Sequence, residues 1–120
     1  MGNLTPATRI TLASGLPAFA ADCGDPVKVK CIYYGLADIR KKNGVNGNPI
    51  VEIQAAITEN PVDADFCPVT ECAEVELDAD VVQVRLQLVD RLWYRFCVKD
   101  PNGTTQGNLD VEVLLKRLNG

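Results

Sequence analysis

Residues 80–98, DVVQVRLQLVDRLWYRFCV, decide how the chain is read. Val82, Leu86, Val89, Trp93 and Phe96 recur at i, i+4, i+7, i+11 and i+14, the spacing of one helical face. Val81, Val84, Leu88, Leu92 and Cys97 widen that face to roughly 220°, against the ~100° stripe of a helix resting on its own domain. Asp80 with Gln83 three residues on makes a capping-box start. Arg91, Arg95 and Lys99 suit the negative C-terminal end. The spacing therefore predicts a helix with more apolar surface than one small domain covers, and so a second subunit lying over it.

Outward from this stretch, the 120 residues make a single domain spanning 1–120, long enough for a real core. A net charge of −4 argues against a sequence-independent nucleic-acid binder, which carries a basic surplus. The chain has no histidine, which removes the commonest general base, the Ser-His and Cys-His pairs and every histidine zinc site. The expectation is a protein that is not an enzyme, with no catalytic residues, cofactor, metal or small-molecule substrate. Pro6 stands where N-myristoylation wants Ser or Thr. Residues 10–21 end in Ala18-Phe19-Ala20 like a signal-peptidase site, but Thr11, Ser14, Gly15 and Pro17 interrupt them. No run approaches a transmembrane span. A soluble, unprocessed protein made in a cytoplasm, without a membrane partner, is expected.

Residues 8–14 alternate as a short strand, and 18–22 as a weaker returning one. Asp22-Cys23-Gly24-Asp25-Pro26 is a break. In the strand 27–34, Val27, Val29, Cys31 and Tyr33 share one face and Lys28, Lys30, Ile32 and Tyr34 the other. Residues 35–49, with Arg40-Lys41-Lys42, Asn43-Gly44 and Asn46-Gly47, read as a long hairpin tip. The strand 50–58 turns Val51, Ile53, Ala55 and Ile57 inward and Glu52, Gln54 and Thr58 outward. An acidic loop, 61–72, leads to a short strand at 73–78. The helix follows, then a polar linker at 101–107. Asn108 caps a last helix, to 118, with Val111, Leu114, Leu115 and Leu118 on one face. The fold class this predicts is α+β: an N-terminal β-hairpin and antiparallel sheet followed by two C-terminal helices packing across a dimer partner.

Among the five cysteines, Cys31 and Cys97 sit on apolar faces and read as buried reduced thiols. Cys67 and Cys72 lie in a polar loop, either as a disulfide stiffening the loop or linking it to a neighbouring subunit, or as two free thiols. A zinc site from Cys23, Cys31, Cys67 and Cys72 fits the spacing poorly. Glu59, Asp63, Asp65, Glu71, Glu74, Glu76, Asp78 and Asp80 are half of the sixteen carboxylates, with no Lys or Arg among them. They lack the spacing of a calcium loop and read as a solvated acidic surface. On the polar face of 27–34, Lys28, Lys30 and Tyr34, with Gln54 and Thr58 beside them, are the elements of an RNA-reading sheet; an ordinary solvent-facing strand is the other reading.

The order of parts resembles the coat proteins of single-stranded RNA bacteriophages, the levivirus-like family. Lys28-Val29-Lys30-Cys31 resembles the start of a central strand and Asn60-Pro61 the end of the next; 80–98 and 108–118 stand in for two helices. The resemblance implies a non-enzymatic virion subunit, made in the host bacterial cytoplasm. It implies interlocked homodimers built into an icosahedral shell around single-stranded RNA. RNA would touch Lys28, Lys30, Gln54 and Thr58. The Cys67/Cys72 loop would meet neighbours at symmetry axes. The dimer interface would be Val82, Leu86, Val89, Trp93 and Phe96 with Leu114, Leu115 and Leu118. Another phage virion or tail component, or a small dimeric binding module with an acidic recognition loop, is the alternative.

Overall fold

The computed structural model describes residues 8–29, 33–88 and 93–117. Its elements are β1 (Thr8–Pro17), β2 (Val27–Lys28), β3 (Tyr33–Lys42), β4 (Ile50–Ala56), β5 (Cys67–Pro68), β6 (Val75–Glu76), β7 (Val81–Leu88), β8 (Trp93–Asp100) and β9 (Asn108–Arg117). The helical elements among the described residues are two 3-10 turns, Asp63–Asp65 and Thr70–Cys72. The α+β expectation is therefore corrected to an all-β fold, and neither C-terminal helix is present. Sheet A has the order β1-β9-β3-β7 and sheet B the order β2-β8-β4-β5, with β6 also on β4. Every pairing is antiparallel.

The physical reason for the correction lies in the period. In β7, Val82, Val84 and Leu86 turn toward the core while Val81, Gln83 and Arg85 turn away. In β8, Tyr94, Phe96 and Val98 are core residues, and Trp93, Arg95 and Cys97 take the other side. Side chains that alternate about a strand spread all round a helical projection, so the wide apolar arc came from a period of two. Valines and aromatics, which fit a pleated surface, fill the segment. The last strand alternates just as plainly, with Leu109, Val111, Val113 and Leu115 buried. The second strand expected at 18–22 is absent, and the strand expected at 27–34 gives β2 in sheet B and the start of β3 in sheet A. Because β3 and β4 lie in different sheets, residues 43–49 cross between the sheets and are not the expected hairpin tip.

Two strand pairs, one in each sheet, share a register. Val27 lies opposite Tyr94 in sheet B, and Tyr33 opposite Leu88 in sheet A. Six residues forward on one side match six back on the other, so the register is the same before and after residues 30–32 and 89–92. Ile39, Val111, Leu86, Phe96, Ile53 and Leu109 pack between the sheets.

Cys23 and Cys97 form a disulfide across an isolated antiparallel bridge, with Cα atoms 4.0 Å apart. Gly24 N–H donates to the Phe96 carbonyl and Val98 N–H to the Asp22 carbonyl, both at 2.8 Å. The cysteines thus occupy a non-hydrogen-bonded pair, the closer of the two antiparallel pairings. Cys97 is buried as expected, but it is bonded rather than a reduced thiol. At the far end, the 43–48 connection packs on the 101–107 loop. The Asn46 side chain donates to Thr105 Oγ1 and accepts from Thr105 N–H. Gly47 is required there, since a Cβ would lie 2.5 Å from Thr104 Oγ1 and 2.9 Å from its amide nitrogen.

Candidate interaction surfaces

The outer side of sheet B is covered by a strap, residues 57–66. Arg95 carries it: Nε donates to Gln54 Oε1 at 2.7 Å, Nη1 to Asp63 Oδ1 at 2.8 Å, and the guanidinium sits 4.1 Å from the Phe66 ring centre. Trp93 Nε1 donates to the Glu59 carbonyl at 3.1 Å. Gln54 in turn donates to Glu52 Oε2 at 2.6 Å, and Lys99 approaches the same oxygen at 3.8 Å. A carboxylate as buried as Glu52 requires such partners. The strap itself presents Ile57 and Val62, 72 % and 64 % exposed, beside the acidic Glu59, Asp63 and Asp65.

The outer side of sheet A has two halves. One is a charge lattice in which Arg40 pairs with Asp38 at 2.9 Å, Lys42 with Asp110 at 3.4 Å and Arg9 with Glu112 at 3.8 Å. The other is a shallow depression of about 550 Å³ around Leu36. Leu36 lies directly opposite Arg85 in β7 and Leu114 in β9, and Tyr34 opposite Lys116. Tyr34 is 52 % exposed. Inward-facing Gly35, Ala37 and Ile39 force their even-numbered neighbours outward, which is why apolar Leu36 faces this side.

No family model, curated protein or solved structure matches the chain.

The sheet edges are guarded, so contact through faces is favoured over edge pairing. β1 carries two register shifts in its pairing with β9. The Thr70–Cys72 turn packs against β7, and β5 and β6 cover β4.

The described members of the expected RNA-binding set divide between the two sheets. Lys28 is exposed on sheet B, 5.9 Å from the Trp93 ring centre; Tyr34 is on sheet A. Gln54 is buried and held by Arg95 and Glu52, whereas Thr58 is exposed in the strap. Lys30 lies outside the described residues. The expected dimer-interface residues divide as well. Leu86, Phe96 and Leu115 belong to the core of this one chain, and Val82 packs against it. Trp93 and Leu114 are on the outer sides of different sheets, while Val89 and Leu118 lie outside the described residues. Among the described residues of 80–98, the apolar side chains of Val82, Val84, Leu86, Tyr94, Phe96 and Val98 are thus satisfied inside the protomer.

Cys67 is exposed and Cys72 buried, and neither is in a disulfide. Burial pushes the Cys72 thiol from 9.0 up to about 11; a backbone hydrogen bond from Ile53 opposes this, and the charges of Glu52 and Glu71 add to it. The four-cysteine zinc arrangement is ruled out by the commitment of Cys23 to Cys97. Of the acidic run, Glu59, Asp63, Glu71, Glu74, Glu76, Asp78 and Asp80 are exposed, and the described residues gather no group of three ligands for a metal ion. The sequence reading missed Arg95, Arg85 and Lys116. The available signal was strict alternation in 108–116 broken only by Leu114, an apolar residue on the polar side.

Proposed function

We propose that the protein is a non-enzymatic structural subunit that associates with copies of itself, a shell-forming coat protein being the specific form of that reading. The observation that carries it is the half of sheet A's outer side around Leu36. Tyr34, Leu36 and Leu114 form an apolar cluster on the solvent side of a closed sandwich, with Arg85 and Lys116 at its margin. Apolar side chains clustered on an outer face and rimmed by charge mark a protein contact.

Packaging of single-stranded RNA is not part of this proposal, because Tyr34 lies on sheet A while Lys28 and the buried Gln54 lie on sheet B. The net charge of −4 also opposes a polyanion. Light scattering during size exclusion, followed by electron microscopy of the largest fraction, tests the reading. Uniform oligomers or particles support it, and a monomer at every concentration overturns it.

A further inference from the structure

We infer that the Leu36 face of sheet A docks onto the 57–66 strap of a second copy, so that subunits join head to tail. This rests on the self-association reading and assigns the two surfaces that meet. Tyr34 and Leu36 lie on the outer side of sheet A, and the strap lies on the outer side of sheet B, across the sandwich from it. One therefore cannot cover the other within a chain.

The two surfaces match in chemistry. Each has exposed or half-buried apolar side chains: Tyr34, Leu36 and Leu114 on the face, Ile57 and Val62 on the strap. Each adds charge of one sign. Among the described residues no carboxylate pairs with Arg85 or Lys116, while the neighbouring Asp38, Asp110 and Glu112 are already occupied by Arg40, Lys42 and Arg9. Glu59 likewise has no cation within the described chain, and Asp63 keeps its far side in solvent. Pairing the face with itself would bring Arg85 and Lys116 against their own copies, a repulsive arrangement. Pairing it with the strap brings opposite charges together around two apolar patches. Because the surfaces differ, the contact is heterologous, and it propagates as a ring or a filament until it closes.

Complementary variants test this. Arg85→Glu with Lys116→Glu disables the face, and Glu59→Lys with Val62→Lys disables the strap; all four positions are exposed or at the rim. Each variant alone is expected to sediment as a monomer. Their equimolar mixture is expected to associate again, because the intact face meets the intact strap and the two reversed surfaces also carry opposite charges. Isotope-labelled and unlabelled wild type, mixed and treated with a carbodiimide, should show cross-links from Lys116 to Glu59 or Asp65 between copies. This second measurement needs no variant to fold. If the wild type associates but the face variant associates equally well, or the mixture stays monomeric, the surface assignment fails and self-association stands. If the wild type is monomeric, the parent reading fails with it. If monomeric wild type binds oligouridylate and the face variant does not, the face belongs to nucleic acid and the inference is overturned.

Discussion

Arg95 and Gln54 lie directly opposite each other on β8 and β4, and their side chains are joined by a 2.7 Å hydrogen bond. From that point Arg95 reaches up to Asp63 and Phe66, so one guanidinium binds two strands and the strap. Its side chain is only 12 % exposed, whereas that of Asp63 is 97 % exposed. Removal of the two partners should therefore differ. Arg95→Ala leaves the buried Gln54 Oε1 without its donor and should cost about 2–3 kcal/mol. Asp63→Asn, which alters an exposed pair, should change stability little. Trp93 is the only tryptophan, and its indole donates to the strap, so its emission should shift in Arg95→Ala before global unfolding. Urea denaturation followed by fluorescence and by circular dichroism checks both expectations.

The Cys23–Cys97 bond closes a sequence separation of 74 residues. Reduction, or the double Cys23→Ser/Cys97→Ser change, should lower stability by roughly 2–5 kcal/mol, chiefly through the unfolded chain. The double variant should no longer respond to reductant. Thermal melts of both proteins with and without reductant give the comparison.

Cys67 should react quickly with a thiol reagent in the native protein, and Cys72 only after unfolding, as read by peptide mass spectrometry. The folded state raises the Cys72 thiol from 9.0 to about 11, so the neutral form is favoured in the fold. Stability associated with it is complete below pH 9.0, is lost as pH rises toward 11, and amounts to roughly 2–3 kcal/mol. Cys72→Ala should reduce that alkaline slope; an unchanged slope would contradict the burial argument.

Two glycines with positive φ should respond unequally to alanine. Gly15, at +69°, has open space around its missing Cβ, so Gly15→Ala should cost only the backbone penalty of about 1 kcal/mol. Gly107, at +94°, would set a Cβ 2.6 Å from Val45 N and 2.8 Å from the Lys42 carbonyl. Gly107→Ala should be several times more costly, because the backbone of the 43–48 connection must move. Paired denaturation curves measure the difference.

Where strands carried their own punctuation, the sequence was a good guide. Val51, Ile53 and Ala55 face the core as expected and Pro61 follows the end of β4, but the Asn-Gly pairs lie in a crossover from sheet A to sheet B and not in a hairpin. The failure was in 80–98 and 108–118, where helical and strand periods compete over apolar-rich sequence. Val82, Val84 and Leu86 with Gln83 and Arg85 between them fit a period of two, but Trp93 and Cys97 on the outer side blurred it. Those two are apolar there because the strap and the disulfide cover them, a tertiary cause with no local trace. Ile57, expected inward, falls beyond the end of β4 and is exposed. The surfaces were less legible still. Tyr34 and Arg85 come together only through the β3–β7 and β3–β9 registers, which pair residues about fifty to eighty apart.

Sedimentation velocity of the wild-type protein over a concentration series, in about 0.1 M and about 1 M salt, tests the central claim most directly. The Debye length falls from about 10 Å to about 3 Å between those conditions. Growth beyond the monomer with concentration, weakened at high salt, is the predicted result. A single monomer boundary at every concentration in both salts would contradict the account.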